Sequence, residues 1–173
     1  WPRMKQDEFN ADLCCLLVSG LVAWRAVENP YWKWFFSKWV PGMVLPSRKV
    51  LSGRVLEEET AKAQGEMRKE TEGLYGTGQC DGWKNVAKSS LVTSMVNVEY
   101  NPFLLGVEDV SEEWKTAVNL MAIVLNEMKQ IHEFFKVILV AWCTDASGES
   151  AKMRRDLLEK FPWLVVLDCW AHQ

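Results

Sequence analysis

Asp81 and Asp145 stand in two short motifs, Gln79-Cys80-Asp81-Gly82-Trp83 and Cys143-Thr144-Asp145-Ala146-Ser147. Each motif puts a carboxylate where an apolar, strand-like run gives way to small or turn-forming residues. A strand end holds a side chain rigidly, and the turn beyond leaves it open to solvent or a ligand. Two such carboxylates suit divalent magnesium, which prefers hard oxygen ligands and often takes only one or two from the protein. An ion held this way assists phosphodiester hydrolysis by generating a hydroxide and stabilising the attacking and leaving oxygens. The same residues also have plainer uses. Asp-Gly and Asp-x-Ser are common turns, and aspartate caps helices. Spacing alone leaves both readings open.

A third motif, Cys169-Trp170-Ala171-His172, follows another apolar run. Its Cys-x-x-His spacing could supply two zinc ligands, but a structural site needs four. The nearest further sulfur is Cys143, a candidate neighbour across strands. On chemistry alone the plainer reading is preferred: Cys169 is a buried thiol and His172 a polar residue at a strand end. His132 reads as an ordinary residue at the end of a long helix. Trp32, Trp34, Phe35, Phe36 and Trp39, beside Lys33 and Lys38, could stack bases, but such clusters more often pack helices together. The charges of Arg48, Lys49, Arg54, Lys62, Arg68 and Lys69 are interleaved with acids and read as a solvated helix face. Gly73, Gly76 and Gly78 lack the Lys-Ser/Thr and following helix of a phosphate-binding loop.

The elements that must position these residues fall into two parts. Residues 1–73 read as a helical region. Phe9, Leu13, Leu16, Leu17 and Leu21 recur at helical spacing, Asn29-Pro30 punctuates, and Ser47 caps a helix running through Val50, Leu51, Val55 and Leu56 into a charged tail. Glycines 73, 76 and 78 mark the boundary. In residues 74–173 the pattern changes to strands. Gln79–Trp83, Ser90–Tyr100 and Phe103–Val107 read as three strands, with a turn at Asn101-Pro102. Ser111 is expected to cap a helix whose stripe is Trp114, Ala117, Val118, Met121, Val124, Leu125 and Met128. Val137–Trp142 is a continuous apolar run, the mark of a strand buried on both faces. A helix over Ser150–Lys160 and a last buried strand over Trp163–Leu167 follow. The first three strands are close enough for antiparallel hairpins, and the later ones, joined by helices, should run parallel. That predicts an α/β mixed sheet of order 3-2-1-4-5, the ribonuclease H-like architecture, preceded by helices. Its first and fourth strands are neighbours, so Asp81 should lie beside Asp145.

Bulk properties narrow the class. The chain has 173 residues, 49% hydrophobic and 25% charged, as a globular protein does. Its net charge of -3 lacks the basic excess of many nucleic-acid binders. Five cysteines, an odd number without a disulfide framework, favour a reducing compartment. No leader pattern appears, and the apolar run from Leu13 to Val27 is interrupted by Arg25 and too short to span a bilayer. An intracellular protein without a membrane span is expected. Opening at Trp1 and closing just after His172, the chain reads as a fragment.

Several motifs together resemble one family. Ala26-Val27-Glu28-Asn29-Pro30-Tyr31, Leu45-Pro46-Ser47-Arg48, Cys80-Asp81-Gly82-Trp83, Asp109-Val110-Ser111 with Lys115-Thr116-Ala117, Thr144-Asp145-Ala146-Ser147 and Cys169-Trp170-Ala171-His172 are similar, in the same order, to hAT-superfamily transposases. The resemblance covers most of the chain. It implies a ribonuclease H-like catalytic domain with an Asp, Asp, Glu triad binding Mg2+ or Mn2+. Asp81 matches the first aspartate and Asp145 the second. Cys169 and His172 match a motif near DNA-end recognition and catalysis. The family's glutamate lies beyond a helical insertion that no residue here matches, and its upstream zinc finger is also unmatched. The resemblance further implies transposon-end DNA as partner, a homo-oligomer and a nuclear location. The chain departs from the family pattern at Lys84-Asn85 and at the bulky Trp170. Incomplete as it stands, the triad is expected to be inactive. Alternatives are a domesticated, non-catalytic DNA- or protein-interaction protein and an unrelated ribonuclease H-like nuclease.

Overall fold

A computed structural model describes residues 1–112 and 116–170. The chain divides into two compact units, Trp1–Glu66 and Met67–Gln173.

The first unit is helical: α1 (Arg3–Ser19), a 3-10 turn (Trp24–Glu28), α2 (Pro30–Trp39), α3 (Arg48–Val50), a turn of π-helix (Leu51–Val55) and the start of α4 (Leu56–Thr71). Asn29 caps α2 by accepting a hydrogen bond from the Tyr31 amide at 2.8 Å, and Pro30 takes the first helical position, where no amide donor is needed. Ser47 accepts from the Val50 amide at 3.3 Å. The single helix expected after Ser47 is kinked at Gly53, whose φ of -111° and ψ of -110° are not helical. Leu13, Cys14, Leu17, Val27, Leu51 and Val55 form this unit's core. Of the α2 aromatics only Trp32 and Phe36 pack against it, while Trp34, Phe35 and Trp39 remain exposed.

The expected boundary at residue 73 is where α4 has ended, with Gly73 at φ +80°, the left-handed conformation glycine adopts past a helix end. The compact division falls earlier because the last turn of α4 packs with the second unit. Met67 lies in that unit's core. The buried Thr71 hydroxyl hydrogen-bonds the Met67 carbonyl at 2.8 Å and approaches that of Phe135 at 3.4 Å.

The second unit holds β1 (Tyr75–Lys84), β2 (Ser90–Val98), β3 (Asn101–Asp109), α5 (Ala117–Glu133), β4 (Ile138–Thr144), α6 (Gly148–Lys160) and β5 (Val165–Asp168). The sheet order is β3-β2-β1-β4-β5. β1, β2 and β3 pair antiparallel, and β4 pairs parallel with both β1 and β5. This is the mixed sheet expected from the element order.

Three local expectations need correction. Gly76 and Gly78 are not a boundary but part of β1, which starts earlier than its motif suggests. A Cβ on Gly78 would sit 2.2 Å from the Trp142 ring, and one on Gly76 would sit 2.6 Å from Val137. The strand is glycine-rich because buried side chains lie on its backbone. The β2–β3 turn is Glu99-Tyr100, with φ of 49° and 65°, the type I′ pattern that matches strand twist. Pro102 instead lies in β3, an edge strand where a missing donor is tolerated. Finally, α5 is capped by Thr116, which accepts from the Asn119 amide at 3.2 Å, not by Ser111. The Ser111 hydroxyl accepts from the Ser90 amide at 2.8 Å and donates to Asp109. Trp114 lies outside the described residues.

Both helices of this unit cover one face of the sheet. Val124, Met128 and Ile131 of α5 and Met153 and Leu157 of α6 share one core with Val96, Val98, Leu139 and Trp142. No helix of this unit covers the opposite face. Tyr75, Trp83, Leu104, Val107, Ile138, Val140, Val165 and Leu167 are exposed by 38% to 64%. The two-sided burial expected for β4 is therefore absent among the described residues, and β5, expected to be buried, is largely exposed. A run of apolar residues does not say whether both faces find cover.

Two stability predictions follow from this core. Gly78→Ala should destabilise the protein by about 1–3 kcal/mol, the cost of overpacking against a fully buried ring, measured by chemical denaturation. Glu127 is buried, and its Oε2 has no hydrogen-bond partner among the described residues. Burial, then the nearby charge of Glu108, holds its carboxyl above the usual range. A pKa raised in the folded state means stability is lost as pH rises through it. Glu127→Gln should therefore stabilise the fold by about 1 kcal/mol at pH 7, with the gain vanishing below the ordinary glutamate range. A variant less stable than the parent at pH 7 would contradict this.

Candidate metal centre

The site is built where β1 and β4 run side by side. Their last paired residues are Gln79 and Cys143, and Asp81 and Asp145 each stand two positions further along. Asp81 is thus still in β1 while Asp145 is the first residue after β4, and the two lie side by side at the same end of the parallel pair. Both line the same two openings. One, of about 150 Å³, lies on the helix side with Thr116, Asn119, Ser147 and Glu149. The other, of about 380 Å³, includes Gln79, Thr93, Met95, Cys143 and Cys169.

Local hydrogen bonds orient Asp145. Its Oδ1 accepts from the Ser147 hydroxyl at 2.9 Å and from the Ser147 amide at 3.3 Å. Ser147 is also the α6 cap, accepting from the Ser150 amide at 3.3 Å. One residue thus fixes both the helix start and the carboxylate. Arg154, two turns into α6, donates to Thr144 Oγ1 at 2.7 Å and to the Asp145 carbonyl at 2.6 Å. That clamp holds the strand end by charge-assisted bonds, which are stronger than neutral ones.

The thiols beside the carboxylates are held neutral. Cys80 is pushed up to about 12, first by burial and then by the negative charges of Asp145 and Asp81; the Trp142 indole offsets part of this. That indole leans toward the sulfur without completing a hydrogen bond, and its Nε1 has no partner among the described residues. The Cys143 thiol is also raised, by burial and then by Cys169, with Arg154 opposing. Cys143 and Cys169 are thus neighbours across β4 and β5. The Cys169 amide donates to the Thr144 carbonyl at 2.7 Å. His172 lies outside the described residues, so the second half of the Cys-x-x-His motif does too.

Asp81 and Asp145 supply the hard oxygens magnesium prefers, and they are brought together in an open cleft. In this they fit a divalent ion. Among the described residues no three His, Cys, Asp or Glu side chains converge on one point that could hold a metal. His132 sits in the last turn of α5. The sequence reading missed Glu149, Asn119 and Arg154. Arg154 had a faint signal, a cation one turn beyond Ser150 on the inward stripe of Ser150, Met153 and Leu157. No helix among the described residues is long and apolar enough to cross a membrane. No family model, curated protein or solved structure matches the chain.

The proximity of Cys80 to both carboxylates sets a third prediction. Cys80 should alkylate far more slowly at neutral pH than the exposed Cys15, because only the thiolate reacts. Asp145→Asn removes a charge that raises the thiol, so it should speed Cys80 labelling, read by mass spectrometry at several pH values. An unchanged or slower rate in a folded variant would separate Asp145 from Cys80.

Proposed function

We propose that this chain carries part of the catalytic core of a hAT-like DNA transposase, with a ribonuclease H-like fold and an ancestral reaction of metal-dependent DNA cleavage and strand transfer. The observation that supports this is that Asp81, near the end of β1, and Asp145, the residue after β4, line the same two openings beside the paired ends of these parallel strands. A bound Mg2+ or Mn2+ ion would supply the Lewis acidity for attack on a phosphodiester. Asp81 and Asp145 are the residues that would hold it. Ser147 keeps Asp145 aimed, and Arg154 keeps the strand end from shifting. Cys80 stays a thiol and adds no charge to the site. Cys169 and His172 belong, on this reading, to recognition of transposon ends, and the working location is the nucleus.

Two carboxylates are fewer than such chemistry uses. They repel each other when no ion lies between them, and the net charge of -3 gives no general attraction to a DNA backbone. A non-catalytic interaction protein of the same ancestry is the second reading, favoured by the bare apolar sheet face.

The test combines binding and activity. Mn2+ titration followed by water-proton relaxation should show weak, millimolar-range binding, lost in Asp81→Asn and in Asp145→Asn alike. Binding indifferent to both changes would remove the proposed site. Labelled duplex DNA incubated with the chain in Mg2+ or Mn2+ should stay intact. Metal-dependent nicking that disappears in Asp145→Ala would instead show a working nuclease.

A further inference from the structure

Among the described residues Glu127 is the one charged side chain that is buried, at 3% exposure. It projects from α5 onto β3. A Cβ on Gly106 would lie 3.6 Å from its Oε1, and its Oε2 has no hydrogen-bond partner among the described residues. Buried charges are normally paired with an opposite one. The charge that acts on Glu127 is a like one, Glu108. Gly106 pairs with Ser94, and Glu108 with Val92. Ser94 is buried and Val92 packs against the core. Cross-strand partners share a face, so the partly buried Glu108 stands on the helix side, two residues along from the glycine that seats Glu127. Asp109, the next residue, turns to the other face. Ser94 of β2 and the inward residues of α6, Ser150, Met153 and Leu157, carry no charge. The strand beneath is weakly held. β3 ends the described sheet with β2 beside it, and its register shifts between Ser94 and Met95, where Leu105 is the extra residue. Such a bulge leaves one residue out of the ladder.

We propose that Glu127 is a proton-operated latch between α5 and the edge strand β3, and that it sets the width of the helix-side opening beside Asp81 and Asp145. The neutral carboxyl seats over Gly106 and lets the helix and the strand pack together. Once it loses its proton, two carboxylates meet at the α5–β3 seam, one of them buried without a partner, and the strand edge is pushed off the helix. Burial, then the charge of Glu108, holds the Glu127 carboxyl above the usual range. The seated form therefore persists below that raised value and is lost as pH rises through it. The seam leads to the opening. Leu120 and Ile123 of α5, the second of them one turn before Glu127, line one side. Val92, the partner of Glu108, and Val110, two residues beyond Glu108, line the other. The Val110 amide donates to the Ser90 carbonyl at 2.8 Å, a bond that ties the end of β3 to β2 and reports on the seam. The latch acts on the opening whatever reaction takes place there, so the inference does not depend on the transposase reading.

The test is amide hydrogen exchange of the full chain at about pH 5 and about pH 8, on either side of a raised carboxyl. Rates are converted to protection factors so that the intrinsic pH dependence cancels. Protection of the β3 amides and of Val110 should fall at least about tenfold from the lower pH to the higher. At the higher pH their exchange should be nearly insensitive to dilute urea, the sign of a local opening. Glu127→Gln keeps the shape and cannot ionise, so its β3 protection at the higher pH should match that of the parent at the lower. Glu108→Gln removes the like charge and should leave a smaller fall, with circular dichroism confirming that both variants fold. β3 protection that does not change with pH in the parent would overturn the proposal. So would a fall equally large in Glu127→Gln or in Glu108→Gln, or β3 exchange that occurs only through global unfolding.

Discussion

Trp142 lies on the bare backbone of Gly78, and the register of the sheet depends on that contact. A Cβ at position 78 would approach the ring to 2.2 Å. Sliding β4 by one residue would bring Thr77 or Gln79 under the indole, and either would clash. A one-residue slip also turns every side chain of a strand to the other face, which would take Trp142 and Leu139 out of the core. Packing thus permits one pairing of β1 with β4. Because the two strands run parallel, that pairing carries forward to their ends and sets Asp81 beside Asp145. The geometry of the candidate site is therefore a consequence of packing several residues away.

Around Asp145 the protein concentrates groups that hold its carboxylate and the strand end still. Ser147 bonds the Asp145 carboxylate and caps α6, while Arg154 of the same helix returns to the backbone of β4. The helix, the turn and the strand end form one closed loop of hydrogen bonds. Cys80 is the counterpart on β1. Its burial beside negative charge keeps it protonated, so an inward-pointing thiol takes no part in the electrostatics. The arrangement favours hard oxygen donors over soft sulfur ones in the same small volume.

The sheet is asymmetric. Its helix side is packed around Trp142, Phe135 and Val124, all at 0% exposure. Its other side presents aliphatic and aromatic residues to solvent. That asymmetry costs the isolated chain hydrophobic stabilisation, at about 25 cal/mol per Å² left wet. It also gives the sheet a surface suited to association. A buried core and an available face are built from alternate residues of the same strands.

Local sequence determined a good deal. The Ser47 cap, the break at Asn29-Pro30, the Ala117, Val124 and Met128 positions of the α5 stripe and the order of strands and helices were legible, because each depends on residues a few positions apart, whereas Val118 of that stripe is exposed. Strand order followed too, since short links favour hairpins and helical crossovers favour parallel neighbours. The adjacency of Asp81 and Asp145 could be read once that order was in hand. Other features depended on contacts between residues distant in the chain. Gly76 and Gly78 read as a boundary because nothing nearby reveals that Val137 and Trp142 will lie on them. The turn was misplaced to Asn101-Pro102 because an edge strand tolerates a proline that a central strand would not, and edge position is a property of the whole sheet. Arg154 and Glu149 were missed because their closeness to Asp145 arises only when α6 folds back along β4. The apolar run of β4 promised cover on both faces and that of β5 promised burial, and only the tertiary structure decided how little of either would be covered. Sequence specifies what a residue prefers, whereas burial depends on what else arrives.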